Sequence, residues 1–241
     1  MSGYLFEPPP PVSVEIAGRD VRFPVNRIFC VGRNYAAHVR EMGFDPDREQ
    51  PCYFTKASCC IAPSGTEIPY PPATNNLHHE IELVVAIGKA GFELPVQDAL
   101  LVVYGYACGL DMTRRDLQTA SRESKGPWDT GKDFENAAVV GPIRPAEDIG
   151  HPASGRIELA VNGETRQDSD LANLIWSVPE IIAHLSRLYR LEPGDLVFTG
   201  TPEGVGPVQP GDRITGSVAG VGEIELLCTA NTAREQERPV V

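Results

Sequence analysis

One stretch constrains the fold more than any other: Leu77-His78-His79-Glu80-Ile81-Glu82-Leu83-Val84-Val85-Ala86-Ile87-Gly88, an apolar run that opens on two carboxylates. The unbroken apolar segment closed by a glycine reads as a strand buried on both faces. Side chains alternate along a strand, so Glu80 and Glu82 share one face while Ile81 takes the other. Two like charges held side by side at the mouth of a buried strand are costly unless a cation lies between them or one takes up a proton. The fold has to accommodate this pair, which makes it the first candidate for a metal site.

The 241 residues, 41% hydrophobic, suffice for one sizeable core. We read a main domain over residues 25–228, an arm and small hairpin at 1–24 and a polar tail at 229–241. The formal charge of -12 opposes nucleic-acid and anionic-membrane partners, because the long-range field repels polyanions. Cys30, Cys52, Cys59, Cys60, Cys108 and Cys228 form no CxxC pair and no disulfide-dense pattern, so they read as free thiols. No run approaches the roughly 18 apolar residues of a membrane span and no signal-like leader is visible, so the expectation is a soluble, cytoplasmic protein. Pro8-Pro9-Pro10-Pro11 reads as a stiff polyproline arm lying over the body or over a neighbouring subunit.

Along the chain, residues 12–16 and 21–23 alternate around Gly18-Arg19-Asp20 and predict a hairpin. Residues 27–31 predict a buried strand, after which Asn34 is placed to cap a helix over residues 35–42 closed by Gly43. On that helix His38 and Glu41 are three apart and share a face. A carboxylate beside an imidazole fixes its tautomer and raises its basicity, as a water-activating base requires, although the same spacing also describes a solvated helix face. The charged, proline-bearing segment 45–51 reads as a loop of the kind that serves as a lid. Residues 52–56 predict a short strand ending in Lys56.

Residues 96–104 fit a helix or a strand equally. Asp111 follows an apolar segment and is either a site residue at a strand end or the cap of the next helix. Residues 126–132 read as a loop that delivers Lys132, a candidate partner for an oxyanion or a carboxylate. Asn162-Gly163 marks a hairpin, and Ser177-Val178-Pro179-Glu180 a capping box. That box opens an amphipathic helix with Val178, Ile181, Ile182, Leu185, Leu188 and Tyr189 on its apolar stripe, where His184 is structural. Pro193-Gly194-Asp195 and Pro210-Gly211-Asp212 each launch a strand. Between them, the glycines of residues 199–207 can bring backbone amides close to a ligand, but their spacing matches neither a dinucleotide nor a phosphate loop.

Five strings occur in order: Phe29-Cys30-Val31-Gly32-Arg33-Asn34-Tyr35; Leu77-His78-His79-Glu80-Ile81-Glu82; Gly109-Leu110-Asp111-Met112-Thr113; Pro127-Trp128 with Lys132; and Thr199-Gly200-Thr201-Pro202 with Gly204-Val205-Gly206. Together they resemble the fumarylacetoacetate hydrolase family over residues 25–227. The resemblance implies an α+β, predominantly β fold, a mixed β-sandwich or roll with a few short helices, and a homodimer. It implies that Glu80, Glu82 and Asp111 ligate Mg2+ or Mn2+, that His38 and Glu41 form a catalytic dyad, and that Lys132 is the active-site lysine. Arg33 is a substrate-contact candidate, and Arg115, Gln118 and Thr201 match substrate-contact positions of relatives. The expected partner is a small acylpyruvate, most closely fumarylpyruvate, cleaved to fumarate and pyruvate. Its far carboxylate needs a cation, for which Arg33, Lys56, Arg114 and Lys125 are available. The alternatives are an acylpyruvase or oxaloacetate decarboxylase of the same family, and a non-catalytic metal-binding or ligand-binding module. A zinc site on His78 or His79 is disfavoured by the absence of HExxH. The sequence departs from the family pattern at Ala57, where relatives often carry proline, and at Asp133, where a small or hydroxyl residue is common.

Overall fold

A computed structural model describes residues 3–43 and 49–231 of the chain. At the centre of an eight-stranded sheet lies β8 (Ile81–Ile87), buried at every position, the apolar run read from the sequence. On one side β8 pairs antiparallel with β9 (Val103–Asp111), and on the other with β15 (Leu196–Phe198). Beyond β15 the sheet continues through β3 (Ile28–Gly32) to its edge at β4 (Cys52–Lys56). Beyond β9 it continues through β11 (Ala138–Val140) to β5 (Ile61–Pro63), and β12 (Arg144–Pro145) also pairs with β9.

A five-stranded sheet packs against this one, in the order β14 (Glu164–Asp170), β13 (Arg156–Val161), β17 (Arg213–Val218), β18 (Gly222–Thr229) and β6 (Thr66–Pro69). The large core between them includes Leu83, Val85, Leu110, Leu159, Ile214 and Leu226. A small three-stranded sheet of β10 (Thr113–Arg114), β7 (Leu77–His79) and β16 (Gly206–Val208) lies beside the site. The N-terminal hairpin of β1 (Ser13–Glu15) and β2 (Arg22–Pro24) packs Val14, Ile16 and Phe23 into a second core cluster with Ile28, Val84 and Phe198. The helices are short: α1 (Ala36–Glu41), α2 (Arg115–Glu123), α3 (Asp129–Lys132), α4 (Ala146–Ile149) and α5 (Val178–Leu188). The fold is therefore mostly β, as the family resemblance implies.

Several local readings change. The apolar run is not one strand: it divides at Glu80 into β7 and β8, although Glu80 O still accepts from the Asp111 N–H at 2.9 Å. Asn34 does not cap α1. Its amide bridges Trp176 O, Thr199 O and Trp176 N instead, and Tyr35 holds the cap position with no side-chain bond. The ambiguous segment 96–104 divides into a 3-10 turn, Val96–Val102, and the start of β9. On α5, which has the expected capping box, Leu188 and Tyr189 are 56% and 43% exposed, because the packed stripe ends at Leu185. The polyproline arm is exposed throughout residues 3–11. Most of the expected lid loop, residues 44–48, and most of the polar tail, residues 232–241, lie outside the described residues. At the start of that tail, Thr229 ends β18 and Asn231 Nδ2 donates to Tyr70 O. Among the described residues no helix is long and apolar enough to cross a membrane.

Candidate active site

The ends of β8 and β9 meet at three buried carboxylates. Glu80, Glu82 and Asp111 each present an oxygen within 4.8 Å of the others, with neither His78 nor His79 in the group. The register explains the encounter, since Glu82 stands opposite Gly109 on β9 and Asp111 lies two residues further along that strand. A Cβ on Gly109 would come within 2.5 Å of Val84 Cγ2, so only glycine lets the two strands close here.

The charges around the cluster are arranged asymmetrically. Lys132 Nζ bridges Glu80 Oε2 and Asp111 Oδ2 at 2.7 Å each, and Arg115 Nη2 pairs with Glu80 Oε1. Burial pushes the Glu80 carboxyl up, but Lys132 and Arg115 outweigh it and hold the group well below the usual carboxylate range. Glu82 goes the other way. Burial and the charges of Asp111 and Glu80 push it well above that range, although the Gly200 N–H donates to its Oε2 at 2.7 Å. Burial lowers the Lys132 ammonium, yet Asp111 and Glu80 raise it further, so it stays charged. Asp111 Oδ1 is ion-paired with Lys56 Nζ at 2.8 Å, both groups fully buried. Three buried carboxylates, one of them pushed toward protonation by burial and by the other two, have the donor set to hold a divalent cation. Three hard oxygen donors suit a divalent cation such as Mg2+ or Mn2+ and suit zinc poorly.

Facing the cluster, α1 presents His38, whose Nδ1 lies 3.0 Å from Glu41 Oε2. Burial pushes Glu41 up, but the His38 bond and the Gly204 N–H, 3.0 Å from its Oε1, hold the carboxylate below its ordinary value. The glycines of residues 199–207 thus aim amides at the site's own carboxylates, Gly200 at Glu82 and Gly204 at Glu41. Both have positive φ, 99° and 89°, where a larger residue is strained. A Cβ on Gly204 would also collide with Arg166 O.

Lys132 reaches the cluster from α3. The predicted loop is a single helical turn, and the lysine is buried rather than solvent-facing. Gly131 makes that possible, because a Cβ there would meet Gln118 N at 2.7 Å and hold α3 away from α2. Arg115 and Gln118 project from α2 into the same cavity, joined by a bond from Arg115 Nη1 to Gln118 Oε1. Thr201 and Arg33 line it as well, Arg33 with a φ of 61° and its guanidinium 5.9 Å from the Trp128 ring. Of the site residues expected from the sequence, all but Glu41 line this one cavity, and Glu41 is joined to it through His38.

The sequence reading missed Phe54, Thr119, Trp128 and Arg122, which complete the cavity wall. Arg122 carried a signal, for it follows Arg115 by seven residues and Gln118 by four, on one helix face. Of the other cations considered, Lys56 is buried in the carboxylate cluster and donates to Lys132 O. The Arg114 guanidinium stacks 4.3 Å from the Phe134 ring, and Lys125 does not line the cavity. A larger cavity, about 580 Å³, opens between β1, β5 and the five-stranded sheet, but its wall is acidic and carries neither histidine nor cation.

A buried carboxylate cluster able to hold a divalent cation, sharing one cavity with a carboxylate-paired imidazole, is the arrangement of a metal-dependent hydrolase. The chain belongs to the fumarylacetoacetate hydrolase family, whose profile, described as fumarylacetoacetate (FAA) hydrolase C-terminal, matches residues 27–226. It is 52% identical over 182 residues to a fumarylpyruvate hydrolase of Ralstonia sp, covering 76% of this chain and 94% of that one. It is 43% identical over 194 residues to the mitochondrial oxaloacetate tautomerase FAHD1 of Homo sapiens, covering 80% and 87%. The crystal structure of fumarylpyruvate hydrolase from Pseudomonas aeruginosa in complex with Mn2+ and pyruvate superposes with a TM-score of 0.93 at 53% identity, covering 95% of this chain and all of that one.

Proposed function

We propose that this protein hydrolyses the carbon–carbon bond of an acylpyruvate, fumarylpyruvate to fumarate and pyruvate. The observation that carries the reading is that His38, held by Glu41, shares a single cavity with the three-carboxylate cluster. The likeness to a fumarylpyruvate hydrolase, and to another holding Mn2+ and pyruvate, supports it.

Glu80, Glu82 and Asp111 would hold Mg2+ or Mn2+, which when bound supplies a Lewis acid for the pyruvyl oxygens and for the enolate charge that develops between them. With Nδ1 committed to Glu41, His38 keeps Nε2 as its basic nitrogen and takes a proton from water. The hydroxide so formed adds to the distal acyl carbonyl, and the Lys132 ammonium offsets the charge of the tetrahedral oxyanion. The bond between the acyl carbon and the pyruvyl methylene then breaks. Its electron pair passes to the pyruvate enolate, and return of the proton held by His38 to that enolate carbon completes pyruvate and restores the base. Arg115, Gln118 and Thr201 contact the pyruvyl end, while Arg33 and Arg122 meet the far carboxylate of a dicarboxylic substrate.

A binding module needs no water-activating pair, which argues against the non-catalytic alternative. The homodimer, the cytoplasmic location and a role in gentisate breakdown belong to the same reading. The deciding experiment is a substrate panel of fumarylpyruvate, acetylpyruvate and oxaloacetate at matched Mn2+. Hydrolysis of fumarylpyruvate with the highest kcat/KM is expected, and no turnover of it would remove the assignment.

A further inference from the structure

We infer that Gln167, a residue of the second sheet, is a positioning residue that commits the Thr201 hydroxyl proton to the active-site cavity. What that proton meets there rests on the acylpyruvate reading. Gln167 is fully buried on β14, between exposed Arg166 and Asp168. Its amide is used on every side. Oε1 accepts from the Ile81 N–H at 3.0 Å and faces His79 Nδ1 at 3.1 Å. Nε2 donates to Thr201 Oγ1 at 2.8 Å and to Pro202 O at 2.9 Å.

The direction of these bonds is fixed by the backbone. The Ile81 N–H can only donate and the Pro202 carbonyl can only accept, so the amide has one orientation. Nε2 must therefore face Thr201, and Thr201 Oγ1 must accept. A hydroxyl that accepts from an amide points its own proton elsewhere. Thr201 is 4% exposed and lines the cavity beside Glu80, Glu82 and Arg115. Among the described residues its hydroxyl makes no second hydrogen bond. The proton is thereby presented to the cavity, where it suits an anionic oxygen such as the carboxylate or enolate of a pyruvyl group. Without the Gln167 amide the hydroxyl could turn round and present a lone pair to that anion.

Gln167 also braces Ile81, which lies between two of the clustered carboxylates, so a purely structural role has to be separated from the positioning one. Pyruvate is titrated calorimetrically into the Mn2+-loaded full chain, and fumarylpyruvate turnover, Mn2+ affinity and the thermal midpoint are measured alongside. The variants are Gln167→Met, Gln167→Glu, Thr201→Val, Thr201→Ser and the double variant Gln167→Met with Thr201→Val. Thr201→Val is expected to weaken pyruvate binding and raise KM roughly tenfold, the worth of a hydrogen bond to a charged group, and Thr201→Ser, which keeps the hydroxyl, should recover most of that loss.

Gln167→Met should reproduce that rise in KM with kcat and Mn2+ affinity changed less than about threefold, and Thr201→Val should add almost nothing in its background. Gln167→Glu, which puts an acceptor where Nε2 stood, should weaken pyruvate binding to the same extent and provides the comparison if the methionine variant does not fold. The inference is overturned if the two substitutions are additive, if Gln167→Met lowers only the thermal midpoint, or if neither Gln167 variant folds. Wild-type protein that binds pyruvate but leaves fumarylpyruvate intact would sink the proposed reaction and keep this comparison; wild-type protein that binds no pyruvate would sink both.

Discussion

The Ala57 N–H donates to Asp133 Oδ1 at 2.8 Å. These are the two positions at which the sequence departs from the family pattern, and the structure makes them partners. A proline at 57 has no N–H to give, so this link to the aspartate forms only where that proline is absent. Asp133 also accepts from Cys60 Sγ at 2.9 Å, and burial together with this carboxylate pushes the Cys60 thiol up to about 12. The link ties the turn after Lys56 to the residue after Lys132, the two lysines that contact Asp111. Asp133→Ala should cost about 1–2 kcal/mol of stability and lower kcat through the misplaced lysine. Ala57→Pro should be damaging in the wild-type background and nearly silent beside Asp133→Ala. A double-mutant cycle by urea unfolding checks this, and simple additivity would refute the pairing.

Glu82→Ala removes one of three clustered donors. It should abolish activity and weaken Mn2+ binding roughly a hundredfold or more, the two losses moving together. Calorimetric Mn2+ titration beside a chelation series provides the check. Full activity after exhaustive chelation would remove the metal from the mechanism.

His38→Ala should separate chemistry from metal binding. The imidazole touches none of the three clustered carboxylates through a hydrogen bond, so Mn2+ affinity is expected to stay within about twofold while kcat falls roughly 10²–10⁴-fold. Glu41→Gln should give a smaller loss, because the amide still occupies the place beside Nδ1. Near-normal turnover by His38→Ala would discard the pair as the base.

How much of this was legible in the sequence depends on how local the cause is. The shared face of Glu80 and Glu82 follows from alternation alone, and the Asn162-Gly163 hairpin and the Ser177 capping box follow from turn and cap chemistry within a few residues. Asn34 looked like a helix cap because nothing nearby shows that Trp176 and Thr199 arrive to claim its amide. Lys132 looked like a loop lysine because its burial depends on Gly131 touching Gln118, thirteen residues back along the chain. Gln167 gave no sign at all. It sits in a polar strand where it alone is buried, and only the long-range approach of the loop after β15 brings Thr201 to it. The glycines near residue 200 were seen to offer amides, but that the recipients are Glu82 and Glu41 is a long-range fact.

Arg122→Leu tests the far end of the cavity. A guanidinium there should favour substrates with a second carboxylate, so KM for fumarylpyruvate is expected to rise roughly tenfold while acetylpyruvate, which lacks that group, changes little. Steady-state kinetics on both substrates decide it. An equal loss on both would assign Arg122 a packing role instead.

Asp116 couples stability to pH at the start of α2. Thr74 Oγ1 donates to its Oδ1 at 2.6 Å, Asn75 N to its Oδ2 at 3.1 Å and Leu117 N to its Oδ1 at 2.9 Å. Burial pushes the carboxyl up, but these bonds outweigh it and hold it below its ordinary value. A group whose pKa is depressed by folding stabilises the folded state above its unfolded pKa, about 3.9 for aspartate. That contribution is lost as the pH falls through the lower folded value, because protonation removes the charge that the three donors favour. Asp116→Asn should therefore be less stable than wild type by the same margin at pH 7 and pH 5, and the margin should shrink between about pH 4 and pH 3. Urea midpoints across that range measure it. A margin that persists undiminished at pH 3 would show that the side chain acts by shape rather than by charge.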